Sequence, residues 1–195
     1  MSPPPLRTTS ILALCIILVP TGAHSAQRPG EPYESPFHDF SVVIPAFAFG
    51  THVQKDNDKT AEMLSVLGDM GDVRLIDYQR LPPGFPPPAD SAMMHDFGQE
   101  VLDDLLRANP GAILNEERIP IDTQDTWFAL VTFTHGSRVV DSTGQRRDAT
   151  RGLLVFMRHG MAYTLHAEDG VMAGPLEATR AKEILTAFYR SITFR

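Results

Sequence analysis

Three groups of residues in this 195-residue chain have the types that could do chemistry. His135, Ser137 and Asp141 lie close enough to suggest a nucleophile with its base and orienting acid. A serine nucleophile is normally presented on a sharp strand-to-helix turn, and the G-x-S-x-G signature of that turn is absent. On a strand running into a loop the three side chains would point in different directions, so the segment reads as an ordinary hairpin end.

Seven His and eight Met would suit a soft metal. No H-E-x-x-H occurs and no two His stand four apart, as helical ligand pairs do. Met93-Met94-His95 is the densest soft-ligand group. At the start of a helix, Met94 falls on the apolar stripe and His95 on the solvent side, which favours packing over coordination. His135, His159 and His166 would have to converge across neighbouring strands, whereas lone histidines at strand ends are usually solvated. The acidic neighbours Glu116-Glu117 and Asp103-Asp104 are no better placed. Adjacent residues face opposite sides of a strand and diverge by about 100° on a helix, so neither pair suits acid and base work. No catalytic residue, metal or cofactor is expected, and glycine-rich phosphate loops are missing.

Two loops offer contacts for a partner instead. Residues 81–90 hold five prolines around Phe85, a stiff extended support on which an aromatic side chain would lose little entropy in binding. The connection from Ser137 to Asp148 is long for a hairpin and places Arg146 beside Arg147 in an otherwise acidic chain, an attraction for a carboxylate-bearing partner.

The elements that must position these residues follow from apolar spacing. Phe40, Val42 and Ile44 alternate with their neighbours until Pro45, the pattern of a half-buried strand. Ala61–Leu67 and Val73–Leu81 flank a glycine-bearing turn and read as a hairpin, with a helix over 60–67 as the alternative. Asp90 or Ser91 caps a helix to about Arg107, on which Met94, Phe97, Val101 and Leu105 share a face; Asn109-Pro110-Gly111 stops it.

A strand around Ala112–Ile119 follows. Thr126–Thr134 and Gly152–Met157 are apolar on both faces, so their sheet must be covered on both sides, and the short links favour antiparallel pairing. His159-Gly160 forms a tight turn into Met161–His166. Gly174-Pro175 opens a helix whose buried stripe is Ala181, Ile184, Leu185 and Phe188, and Ser191–Arg195 ends as a short strand. The expected class is α+β, an antiparallel sheet flanked by helices.

Residues 1–26 differ from the rest: a lone Arg7, the apolar run Ile11–Val19, then Pro20, Gly22 and small residues. That order is a signal peptide, cut before or after Ala26; lipidation at Cys15 is the alternative, against which Leu14 stands where a small residue is usual. Nine apolar residues fall short of the roughly 20 needed to span a bilayer. Cys15 is the only cysteine and no N-glycosylation acceptor is present, a combination that favours a bacterial envelope compartment. After Arg7 leaves, 16 basic residues face 24 acidic ones, a net charge of −8 that repels nucleic acid and anionic lipid. Residues 27–36, with Pro29, Gly30, Pro32 and Pro36, read as an extended arm, and residues 37–195 as one domain.

Phe40-Ser-Val-Val-Ile-Pro45, the capped helix before the middle strands, the hairpin ending Met161-Ala-Tyr-Thr-Leu165 and the closing helix with Phe188-Tyr-Arg-Ser-Ile-Thr-Phe194 together resemble the PsbP-like superfamily. That superfamily includes bacterial DcrB-like envelope proteins. The resemblance implies an α/β/α sandwich and a non-catalytic binding, chaperone or assembly role, and it carries no binding motif onto a residue of this chain. The expected function is a periplasmic binding or assembly factor with an envelope protein or a small ligand as partner. An envelope hydrolase with an unrecognised site and a His/Met metal-handling protein are the alternatives.

Overall fold

The computed structural model describes residues 30–45, 48–55, 61–68, 73–85, 91–136, 144–168 and 175–195. Its elements are β1 (Pro32–Glu34), β2 (Phe40–Val43), β3 (Ala48–Lys55), β4 (Ala61–Gly68), β5 (Val73–Arg80), α1 (Ser91–Ala108), β6 (Gly111–Ile121), β7 (Gln124–Phe133), β8 (Ala149–Arg158), β9 (Met161–Glu168), α2 (Ala178–Arg190) and β10 (Ile192–Phe194). The glycine-bearing segment 69–72 and residues 86–90 of the proline-rich stretch lie outside the described residues.

Strands apolar on both faces need two covers, and the fold supplies them. Seven strands pair antiparallel in the order β3-β4-β5-β9-β8-β7-β6. On one face, Trp127, Val155 and Met157 pack on Met94, Phe97 and Val101 of α1, and Ala129, Val131, Phe133 and Leu153 meet its Leu102 and Leu105. On the other, Phe128, Leu130, Leu154, Phe156 and Leu165 pack on Ala181, Leu185 and Phe188 of α2 and on the three-stranded sheet β1-β2-β10. Burying side chains of this size contributes roughly 1.5–3 kcal/mol each, which makes this two-sided core the main stabilising term. The α+β class with an antiparallel sheet between helices is what the structure shows.

Two local sterics fix the layers. His159 (φ 50°) and Gly160 (φ 75°) close β8 onto β9 with positive φ at both central residues, the hairpin turn that matches strand twist. Gly152 lets α2 approach: a Cβ there would stand 2.8 Å from that of Ala181.

Two segments differ from the sequence reading. Residues 32–34 are not a free arm, because β1 pairs with β2 and buries Tyr33 and Ser35. Residues 48–55, given no element above, form the edge strand β3. The hairpin reading of 61–81 holds, with β4 pairing β5 from Ala61 and Gln79 to Leu67 and Val73.

Candidate functional site: the arginine end of the sheet

Register stacks the face under the small sheet in rows. Tyr78, Tyr163 and Phe156 stand side by side on β5, β9 and β8. Phe156 stacks on Tyr163 with centroids 5.0 Å apart, and Phe40 of β2 meets Tyr78 edge-on at 4.9 Å. These buried hydroxyls are partnered. Tyr33 Oη lies 2.9 Å from Tyr78 Oη, and Tyr163 donates to Asp39 Oδ2 while Ser35 Oγ donates to Oδ1 at 2.5 Å. Burial, then the bond to the Asp39 carboxylate, pushes the Tyr163 phenol well above its ordinary range.

One step along the strands the row is Arg80, Met161 and Arg158. Alternation puts all three on the same face as the tyrosines, so the two arginine Cα atoms are two strand spacings apart, about 10 Å. Each guanidinium lies over a ring: Arg80 is 4.9 Å from the Phe37 centroid, and Arg158 is 4.8 Å from that of Phe194. Arg158 also donates to Tyr189 Oη at 3.2 Å, and its Nε is buried without an acceptor. Neither arginine has a carboxylate partner among the described residues, whereas Arg107, Arg118, Arg151, Arg180, Arg190 and Arg195 each have one.

Two exposed histidines frame this end, both at positive φ (His38 at 59°, His159 at 50°). His38 Nδ1 is 2.9 Å from Glu34 Oε1, Arg195 Nη1 donates to the same oxygen at 2.6 Å, and His159 Nδ1 is 2.7 Å from the Arg195 carbonyl. The contact with His38, then the Arg195 guanidinium, holds the Glu34 carboxyl below the usual carboxylate range. Glu34 and Asp39 are therefore engaged, and the charge left unmatched is positive.

The residues singled out from sequence fall elsewhere. Phe85 is half-buried against the cluster of Met94, Phe97, Trp127, Met157 and Ala162. Arg146 and Arg147 are exposed beside the start of β8, where the Arg146 carbonyl meets His135 Nδ1 at 2.9 Å. Met157 and Ala149 are eight residues apart on one strand, about 26 Å, so the structure does not bring Phe85 together with the arginine pair.

Ser137 and Asp141 lie outside the described residues. Met94 is buried in the α1 stripe and His95 sits edge-on to Trp127 at 4.6 Å. Glu116 accepts from Gln99 of α1 and Glu117 from Lys182 of α2, opposite faces as strand alternation requires.

Sequence reasoning missed two pairs on the α1 face. His166, 3% exposed, sits inside β9 with Nε2 2.9 Å from Asp77 Oδ2, and Arg151 Nε donates to Glu168 Oε2 at 2.7 Å. It also missed Arg80 and Arg158, although a repeated signal was present: aromatic-x-Arg at the ends of two strands, Tyr78-Gln-Arg80 and Phe156-Met-Arg158. Among the described residues no three His, Cys, Asp or Glu gather as metal ligands, and no helix is long and apolar enough to cross a membrane.

No family model and no curated protein matches the chain in sequence. Solved structures match it in shape. The solution structure of cyanobacterial PsbP (CyanoP) from Synechocystis has a TM-score of 0.52 at 11% identity, covering 90% of this chain and 96% of that one. A crystal structure from Bacteroides thetaiotaomicron has a TM-score of 0.50 at 12% identity over 86% of this chain and 49% of that one, so this chain spans about half its length. The Ran-binding protein Mog1p of Saccharomyces cerevisiae scores 0.49 at 11% identity, covering 88% and 96%. At these identities the likeness concerns architecture, and the chain has the fold of the cyanobacterial PsbP structure.

Proposed function

We propose that this chain is a non-catalytic binding or assembly factor of the bacterial envelope, DcrB-like in role, that holds an envelope protein or small ligand by surface contact once residues 1–26 are removed. The observation that carries the reading is the state of its polar groups. Buried and half-buried ones tie layers together, as Asp39 ties Ser35 and Tyr163, and Glu168 ties Arg151. The arginines at one end of the sheet are instead stacked on rings and have no carboxylate partner among the described residues. A ring-stacked guanidinium is costly in side-chain freedom only once, at folding, so it meets a partner already ordered.

The fold likeness to cyanobacterial PsbP supports the architecture on which this surface is built. The hydrolase alternative would rest on His166 and Asp77. A base must reach the proton it abstracts in a bound substrate, and this imidazole is closed off within the sheet face.

A photo-crosslinking amino acid at position 80, compared with one at exposed position 180 on α2, tests the reading in cells. A defined adduct from position 80 and none from 180 is expected; no adduct from either overturns it. Intact mass of the mature protein tests the compartment. A start at Ala26 or Gln27 is expected, and retention of residues 1–25 or diacylglycerol on Cys15 refutes it.

A further inference from the structure

We infer that Arg80 and Arg158 form a two-point site for an acidic, extended peptide segment that lies across the ends of β5, β9 and β8. The inference rests on the binding role proposed above and names the chemistry of the partner.

Three observations lead there. First, charge: at this end Arg80, Arg158, Arg190 and Arg195 are positive while Glu34, Asp39 and Asp122 are negative; Asp122 is paired with Arg190, and Glu34 and Asp39 are engaged by Arg195, His38, Ser35 and Tyr163. The chain as a whole carries −7, so a cationic end is a local exception that would steer a negative partner to one place. Second, order: Phe37 and Phe194, beneath the two guanidiniums, are themselves packed against the core. The planar fork of arginine is suited to carboxylate, and stacking fixes its plane without using its donors.

Third, spacing. The two arginines are separated by one strand, with buried Met161 between them. Two carboxylates on alternate residues of an extended chain are about 7 Å apart and on the same side, within reach of two side chains whose Cα atoms are about 10 Å apart.

The test uses the full mature protein and a short blocked peptide of alternating Glu and Ala, with its Gln counterpart as control, followed by heteronuclear NMR and anisotropy. Binding of the Glu peptide alone is expected, with shifts centred on Arg80, Met161, Arg158 and His159. Affinity should fall at least tenfold in Arg80→Ala with Arg158→Ala, a loss equivalent to one good charged contact. It should be unchanged in Arg146→Ala with Arg147→Ala, and it should weaken with added salt.

Because Arg158 also packs on Phe194, the single variant Arg80→Ala is run alongside: its side chain is exposed and makes no hydrogen bond or ion pair among the described residues, and it should weaken binding severalfold with an unchanged melting temperature. Equal affinity in wild type and Arg80→Ala overturns the site. So does binding of inorganic phosphate at these residues with none of the peptide, and so does concentration-dependent self-association that the arginine variants abolish, which would make a second copy the occupant. A defined crosslink from position 80 alongside failure of the peptide would leave the binding role standing and remove only the acidic-segment assignment.

Discussion

Replacing Tyr163 by Phe removes one hydroxyl and keeps the ring that stacks on Phe156, so no cavity opens. The lost bond runs to the ionised Asp39, and hydrogen bonds to charged groups contribute about 1.5–3 kcal/mol. Asp39 is only partly buried and keeps its bond from Ser35, which places the cost near the lower end, about 1.5–2 kcal/mol at neutral pH. The phenol also titrates differently in the two states. Its folded pKa is raised above the ordinary value of 10.0, so above that pH the unfolded chain gives up a proton that the folded chain keeps. Stability from this group is therefore complete below pH 10 and is lost as pH rises beyond it, by about 1.4 kcal/mol one pH unit higher.

The Phe variant has no such titration, so the gap between the two proteins should shrink from about 1.5–2 kcal/mol at neutral pH to under about 0.6 near pH 11. Trp127, the only tryptophan and a buried one, reports unfolding in urea at each pH. A gap that stays constant from neutral pH to pH 11 would refute the linkage, and a neutral-pH gap below about 0.5 kcal/mol would refute the stabilising role of the bond.

Three further outcomes are expected in urea titrations of purified protein. Phe133→Ala should cost about 3–5 kcal/mol and Phe188→Ala about the same, whereas Phe97, at the rim of its cluster, should sit at the low end; a loss below about 1 kcal/mol would contradict the burial. Gly152→Val should cost more than about 2 kcal/mol, because backbone and Ala181 leave no room for γ-carbons; Gly152→Ala should cost less, and near-equality with wild type would show that α2 can retreat. Arg151→Ala and Glu168→Ala should each cost about 3 kcal/mol or more, while Arg151→Met with Glu168→Leu recovers most of it, since a lone buried charge is worse than none; additive losses would show that the pair is not coupled.

The sequence made legible those elements whose pattern is local. The stripe Met94, Phe97, Val101 and Leu105 specified α1, the two-faced runs of β7 and β8 demanded covers on both sides, and His159-Gly160 specified its own turn. β1 was hidden because it has a single inward residue, Tyr33, among prolines, and it exists only through pairing with β2. β3 was hidden because an edge strand with Gly50 inside it needs no strong alternation. The arginine end was hidden for a different reason. Arg80 and Arg158 are 78 positions apart and meet only through the register of β9 between them. His166 was misread as a strand-end residue because β9 runs on to Glu168 and its partner Asp77 lies 89 positions away. Phe85, set on a stiff proline-rich stretch of the sequence, is half-buried against the cluster that includes Met94 and Phe97.

The small sheet joins opposite ends of the sequence: β2 lies between β1 and β10, pairing Phe40 with Phe194, and the Arg195 amide donates to the Asp39 carbonyl. A ribosome releases Phe40 long before it releases Phe194. Until then β2 lacks one of its neighbours, and the ring row of Tyr78, Tyr163 and Phe156 lacks part of its roof. Closure of a loop of this length is entropically slow and cannot begin before the last strand is free. The small sheet is therefore complete only once residues 192–194 have left the ribosome, which makes it a late addition to the fold rather than its starting point.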